Sequence, residues 1–286
     1  MKNFSRVYIE ITNMCNLSCS FCIGNVRPPQ FMEVDEFAFV IEQVKPYTKH
    51  IYLHILGEPL LHPQLEEILN VAHHYEMSVN ITTNGTLLAK CQNTLLNAPA
   101  LRKVSISLHS MEHGSPYCNE NYLRDVALFA TAATEKGIFC ELRMWNLGGD
   151  DIDNVAMFNP LCSLLGLDIT AQEAARSKIC ESGNTTLAPR LFLGKAARFT
   201  WPSMDDAATE QPIFCHGLRS QMGVLCDGTV VPCCLDSRGD IALGNIFQTP
   251  LSEILSGERA RALYDGFSIR HPSEELCRRC GYAKRF

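Results

Sequence analysis

No stretch of this sequence reaches eighteen consecutive apolar residues, so no segment reads as a membrane-crossing helix. Positive charge is also scarce. With 25 Lys and Arg against 31 Asp and Glu, the net charge is -6, which leaves no broad basic surface for nucleic acid or an anionic membrane. The opening MKNFSRVYIEIT has no basic segment followed by an apolar one, so a secretory signal is not expected and a cytoplasmic setting is. Internal repeats and low-complexity tracts are missing as well. What remains is a chain of 286 residues, 46% of them apolar, long enough to bury a sizeable core and suited to a small-molecule or peptide partner.

Cysteine is plentiful. In a reducing compartment the 14 cysteines are expected to ligate metal or do redox chemistry rather than form structural disulfides, which makes their spacing informative.

Short apolar segments at 7–12, 50–56, 78–83, 103–109, 138–145 and, weakly, 167–171 read as strands. Between them lie amphipathic helices. Phe37, Val40, Ile41 and Val44 recur at helical spacing before Pro46, as do Leu65, Ile68, Leu69 and Ala72, and then Val126, Phe129, Ala130 and Ala133 before Gly137. Such alternation predicts right-handed crossovers and a parallel sheet. Six units are too few for a closed eight-fold barrel, leaving a partial open barrel or a doubly wound sheet, with the site at the carboxyl ends of the strands in either case. The rhythm stops near Ser182, and Pro189, Pro202, Pro212 and the polar DDAATEQ stretch place a domain boundary at about residue 200. The segment beyond it reads as a hairpin, a helix from Leu251 to Tyr264, and a cysteine-rich tail.

The first strand runs straight into NMCNLSCSFC, in which Cys15, Cys19 and Cys22 form a CxxxCxxC array. Four cysteines would saturate a four-iron cube; three leave one iron open to a ligand. The blander reading is a zinc site completed by a remote ligand, or plain buried cysteines. With Phe21 before the last cysteine and the loop following strand one, the array resembles the signature of the radical S-adenosylmethionine (radical SAM) superfamily. That resemblance implies an α/β fold with a partial (β/α)6 barrel core, a [4Fe-4S] cluster on Cys15, Cys19 and Cys22, and reductive cleavage of S-adenosylmethionine to a 5'-deoxyadenosyl radical that abstracts a substrate hydrogen. It also implies an electron supply from a flavodoxin or ferredoxin.

Further positions carry the same resemblance. LGEPL after strand two is similar to the family's GGEP motif, with Leu56 in place of the first glycine, and assigns Gly57, Glu58 and Pro59 to the methionyl amine. TTNGT after strand three offers Thr82 and Asn84 to the ribose or methionyl groups, although an ordinary turn with Thr86 as helix cap fits equally well. Ser107 and Arg143, on strands four and five, are implied at the methionyl carboxylate, a task that suits the planar fork of arginine; a surface ion pair is the alternative for Arg143.

Toward the C-terminus, Cys215, Gly228 and Cys233 have the spacing that opens the SPASM motif of the same superfamily, followed by GNI, a helix and a closing CxxC. The tail resembles the shortened, twitch-type form: a small β-hairpin and helix domain with one auxiliary [4Fe-4S] cluster on Cys215, Cys233, Cys277 and Cys280. A four-cysteine zinc ribbon has similar pairs. Cys234 adjoins Cys233, and only the glycine spacing favours the latter. The implied layout is a core over 1–200 and an auxiliary domain over 201–286. No catalytic side chain is singled out, although His54 and His109 lie near the expected mouth, and Cys118 and Cys180 are candidate hydrogen donors. Oxidation or rearrangement of a small polar molecule is the leading expectation, with modification of a ribosomally made peptide as the alternative and a non-catalytic iron-sulfur or zinc scaffold as a third reading.

Overall fold

A computed structural model describes residues 3–111, 120–145, 155–196 and 200–285, so Cys118 lies outside the described residues. The chain forms two compact units, Met1–Val79 with Phe199–Phe286, and Asn80–Arg198.

The first unit opens with β1 (Arg6–Ile9), α1 (Val34–Val44), β2 (His50–Tyr52) and α2 (Leu65–His74). The helical spacing read from the sequence has the expected cause: Phe37, Val40, Ile41 and Val44 of α1 are all buried, as are Leu65, Ile68, Leu69 and Ala72 of α2. β1 and β2 pair in parallel, Val7 opposite Ile51. β3 (Ser78–Thr83) straddles the boundary between the units.

The second unit continues with α3 (Leu88–Leu96), β4 (Leu101–Ser107), α4 (Glu120–Glu135), β5 (Phe139–Trp145), α5 (Val155–Leu164), α6 (Ile169–Ser182), β6 (Asn184–Ala188) and β7 (Leu191–Ala196). β4, β5 and β7 pair in parallel, and β6 returns antiparallel on the outer side of β7. The weak strand expected at 167–171 is instead a helix start. Asp168 caps α6 by accepting from the Ala171 amide at 2.8 Å, and the aliphatic Ile169 that suggested a strand is 74% exposed. The parallel strand next to β5 is β7, whose short hairpin with β6 was hidden behind Pro189 and the positive-φ Arg190 at its turn.

In the C-terminal segment β8 (Gln221–Val224) and β9 (Thr229–Val231) form the expected hairpin, followed by β10 (Gly244–Asn245), α7 (Leu251–Ser256), α8 (Glu258–Ser268) and α9 (Glu275–Arg279). The helix expected from Leu251 to Tyr264 is two helices, because Gly257 adopts an extended conformation between them. β8 pairs in parallel with β1, Arg6 opposite Gln221, so the hairpin extends the first unit's sheet in the order β10-β9-β8-β1-β2. Among the described strands, β10 and β6 each have a single neighbour, so the strand order is that of an open sheet. No helix among the described residues is long and apolar enough to cross a membrane.

Candidate active site and its two cysteine groups

The loop after β1 is closed at its base before it opens around the cysteines. Thr12 bridges to Phe31, its hydroxyl donates to the Gln30 carbonyl at 2.9 Å, and the Asn13 amide donates to the Pro28 carbonyl at 2.8 Å while accepting from the Gln30 N–H at 2.9 Å. Cys15 and Cys22 are exposed and Cys19 is half-buried. Backbone amides face two of the sulfurs, Leu17 N–H to Cys15 Sγ and Gly24 N–H to Cys22 Sγ, each at 3.5 Å. Amides aimed at sulfur favour the thiolate, the form that ligates iron.

Gly57 packs against that base. Its φ is +75°, and a Cβ there would stand 2.4 Å from the Thr12 carbonyl oxygen and 2.8 Å from that of Met14, so only glycine fits. Glu58 donates its amide to the Met14 carbonyl at 2.7 Å, and its buried carboxylate accepts from Leu60 N–H at 3.1 Å, capping a short turn begun by Pro59. Thus Phe21, Gly57, Glu58 and Pro59 belong to the same unit as the three cysteines, with the GEP turn held directly on the residue before Cys15.

The remaining residues proposed for the cofactor lie in the second unit. Ser107 and Arg143 are paired in register on β4 and β5, so the structure does bring those two together. In TTNGT, Asn84 accepts from both the Thr86 amide at 2.9 Å and the Thr86 hydroxyl at 2.7 Å, and Thr83 accepts from Gly85 N–H. These bonds close a local turn, which Tyr122 fastens by donating to the Asn84 carbonyl at 2.9 Å; Thr86 is not the helix cap, since α3 starts after Leu87 with no side-chain cap. Thr82, one step earlier on β3, is half-buried.

His109 is buried beside Arg143, with Nδ1 3.2 Å from the Arg143 carbonyl, to which it is placed to donate. Burial first, and then the Arg143 charge, lower its pKa from 6.5 to about 3, against the opposing hydrogen bond. The sign follows from the unfolded chain, which takes up a proton below pH 6.5 that the folded chain refuses until about pH 3. This contribution to stability is therefore intact above pH 6.5 and is lost as pH falls through that window. At pH 5 the loss is about 2 kcal/mol. Denaturant melts from pH 7 to pH 5 are expected to show a shallower acid decline for His109→Gln than for the parent; identical slopes would contradict the assignment.

The second cysteine group assembles from three parts of the C-terminal segment. Cys233 has Cys234, Cys215 and Cys277 as electrostatic neighbours, Cys234 also feels Cys215, and Cys277 has Cys215 and Cys280. Burial, then mutual repulsion, push the Cys233 and Cys277 thiols well above their ordinary range, as expected for thiols gathered to share a cation. Cys234 differs. It packs against the apolar cluster of Tyr8, Ile55, Leu225 and Val231 and accepts a hydrogen bond from the Tyr8 phenol, which favours Cys233 as the ligand. Among the described residues no three His, Cys, Asp or Glu side chains converge on a point that a single metal ion would occupy; thiols spread around a polynuclear cluster need not. Of the other cysteines, Cys140, Cys162 and Cys226 are buried, Cys91 is half-buried and Cys180 is exposed.

Sequence reading missed Glu10 and Arg27. Glu10 is fully buried and ion-paired to Arg27 at 2.6 Å. Burial works to lower the pKa of Arg27, but the charge and hydrogen bond of Glu10 outweigh it and raise it. A charge set between Ile9 and Ile11 in an apolar strand was the available signal, because an ionised side chain is seldom fully buried without a partner.

An open α/β sheet that carries three cysteines on the loop after β1, and four more gathered in its C-terminal segment, defines a protein built around iron-sulfur clusters. The residues fit such groups: amides face the loop sulfurs, and glycine keeps the adjoining turn close to them. The family model of the Radical SAM superfamily matches residues 9–159, and that of an iron-sulfur cluster-binding domain, SPASM, matches 215–281. The chain belongs to the radical SAM superfamily.

Among curated proteins, GTP 3',8-cyclase of Chlorobaculum tepidum is 33% identical over 110 residues, covering 37% of this chain and 33% of that protein. The tungsten-containing aldehyde ferredoxin oxidoreductase cofactor-modifying protein of Pyrococcus furiosus is 33% identical over 86 residues, covering 29% of this chain and 24% of that protein. The matched stretch thus spans a third or less of either relative. Among solved structures, BtrN in complex with AdoMet and 2-DOIA shares the fold with a TM-score of 0.57 at 17% identity, covering 98% of this chain and 94% of that one. Streptococcus suis SuiB bound to precursor peptide SuiA gives a TM-score of 0.64 at 14% identity over 99% and 71% of the two chains.

Proposed function

We propose that this protein binds S-adenosylmethionine beside a [4Fe-4S] cluster on Cys15, Cys19 and Cys22 and uses it to abstract hydrogen from a small polar molecule, which is then oxidised or rearranged. The observation that carries the substrate class is the polar face of the second unit. On β4 and β5, Val104, Ile106, Cys140, Leu142 and Met144 are fully buried, while the alternate positions are Lys103, Ser105, Ser107, Glu141 and Arg143. These polar groups are already organised. Lys103 pairs with Glu141 at 2.7 Å, and Ser105 donates to the same carboxylate at 2.9 Å. Burial opposes ionisation of Glu141, yet Lys103, Ser105 and Arg143 hold its pKa below the usual value. A fixed anion between cations suits recognition of hydroxyl or amino groups by charge-assisted hydrogen bonds.

When bound, a cluster at these three loop cysteines would supply an electron for reductive cleavage of the sulfonium cofactor. Cys15, Cys19 and Cys22 hold the cluster and leave one iron position to the cofactor. The Glu58 carboxylate and the turn kept tight by Gly57 receive the methionyl amine, and Arg143 with Ser107 receives the carboxylate. Thr82 and Asn84 stand for the ribose. Cys215, Cys233, Cys277 and Cys280 would hold an auxiliary [4Fe-4S] cluster, which could serve as a substrate ligand or an electron acceptor. Core and auxiliary domains are assigned to 1–200 and 201–286, and the reductant to the flavodoxin or ferredoxin class.

Anaerobic reconstitution followed by iron counting and a dithionite-driven assay for 5'-deoxyadenosine tests this reading. About eight irons per chain with cleavage is the expected result; zinc instead of iron, or no cleavage, points to a non-catalytic scaffold. Cys277→Ala is expected to hold about four irons and keep cofactor cleavage while losing substrate turnover. Wild-type turnover by that variant would remove the auxiliary cluster from the mechanism.

A further inference from the structure

Glu10 directly follows β1 with no exposed surface, and four groups from three other segments converge on it. Arg27, on the loop that carries Cys15 to Cys22, places Nη2 2.6 Å from both carboxylate oxygens. The amide of Leu56, the residue before Gly57, donates to Oε1 at 3.1 Å. Cys226, in the turn between β8 and β9, donates both its amide and its thiol to Oε2, each at 3.1 Å. Arg27 then reaches onward, with Nε donating to the Ser237 carbonyl at 2.9 Å and Nη1 lying 3.7 Å from Cys226 Sγ. Gln30, from the same loop, donates to the Cys226 carbonyl at 3.2 Å.

One buried carboxylate therefore joins the three-cysteine loop, the GEP turn and the segment that bears Cys233. Stability alone is a poor account of this arrangement. A buried ion pair is often replaceable by apolar side chains without loss, whereas its fixed geometry positions whatever is bonded to it. Backbone N–H groups from two separate turns meet the same anion, so a shift at either turn is felt at the other through a bonded path only a few atoms long. Groups behind a metal's own ligands act in this way on the metal site.

On the reading of the two sites given above, we propose that Glu10 and Arg27 are positioning residues that couple the S-adenosylmethionine turn and its cluster loop to the auxiliary-cluster segment. Arg27 is the element that one point charge cannot replace, because its fork serves Glu10 and Ser237 together. Lysine at 27 can satisfy the carboxylate but not both partners. Removing both charges, as in Glu10→Gln with Arg27→Met, avoids stranding a buried ion and keeps the fold testable.

The experiment compares wild type, Arg27→Lys and the Glu10→Gln/Arg27→Met double variant by two measurements. Amide hydrogen exchange on the cluster-free full chain reports the coupling without any bound group. In the double variant exchange is expected to rise about tenfold at 55–58 and at 226–239 as well as in the cysteine loop, with Arg27→Lys intermediate. A rise confined to 13–31 would overturn the proposal.

The second measurement uses the reconstituted protein and follows the change in the first cluster's EPR signal as S-adenosylmethionine is added. At wild-type iron content, half-saturation is expected to need roughly ten- to a hundredfold more cofactor in the double variant. Unchanged half-saturation at full iron would leave the pair a purely structural role and sink the inference. If the wild type gives no cofactor-dependent signal, the proposed function itself fails, while the exchange measurement still decides the coupling.

Discussion

Cys19→Ala is expected to leave no detectable 5'-deoxyadenosine and to reduce bound iron from about eight to about four per chain, the remainder held by the C-terminal cysteines. The size of the effect follows from ligand number. A four-iron cube on two thiolates has two irons without protein donors, so it is neither retained nor presented with a single open position. The middle cysteine is the informative one to remove, because it lies within a turn whose backbone is otherwise fixed by Cys22 N–H to Cys19 carbonyl at 3.0 Å. Alanine keeps that turn, so the loss is assigned to the sulfur. Two companions complete the measurement: Cys233→Ala is expected to lose the auxiliary iron, and Cys234→Ala to retain all of it, because Cys234 lies in the Tyr8 patch. The reverse pattern would exchange the two assignments, and full iron in Cys19→Ala would contradict the first cluster's ligand set.

Gly57→Ala is expected to be the most damaging change that leaves every proposed ligand in place. Its Cβ would lie 2.4 Å and 2.8 Å from the Thr12 and Met14 carbonyl oxygens, both backbone atoms that cannot rotate away. The left-handed backbone cost adds to the overpacking cost, for about 3 kcal/mol of stability. The strain can be relieved only by parting the GEP turn from the base of the cysteine loop, which also breaks the Glu58 amide bond to Met14. Cofactor affinity is therefore expected to fall about tenfold or more, read by isothermal titration on reconstituted protein. Gly137→Ala is the control, since Gly137 has φ +85° and nothing within 4 Å of an added Cβ. It should cost about 1 kcal/mol and leave cofactor binding alone. Equal effects of the two substitutions would show that backbone conformation, not proximity to the loop, governs Gly57.

The parts of the fold that could be read without coordinates share a physical property: each is fixed by neighbours in sequence. The apolar spacing in α1 and α2 reports which face is buried, because a helix repeats every few residues whatever it packs against. β1 to β5 were legible as apolar runs for the same reason. β7 was not. Its place beside β5 goes with a hairpin to β6, Leu191 and Leu193 being buried, and its composition, LFLGKA, follows directly on a proline and a positive-φ arginine. The expected strand at 167–171 failed because Asp168 competes as a helix cap, a local hydrogen bond that outweighs the strand preference of its neighbours.

The candidate site divides in the same way. By itself the sequence determined the three-cysteine array and the GEP turn, because such arrays and tight turns are written in spacing along the chain, while the grouping of Cys215, Cys277 and Cys280 came from the resemblance to the SPASM motif. Tertiary structure alone set Cys234 against the Tyr8 cluster, with a hydrogen bond to the Tyr8 phenol, and put Ser107 beside Arg143. It alone placed Glu10 where Arg27, Leu56 and Cys226 meet, contacts that span up to 216 positions of sequence. Such contacts leave no periodic trace, since a buried charge is stabilised by whichever distant groups the folded chain brings to it.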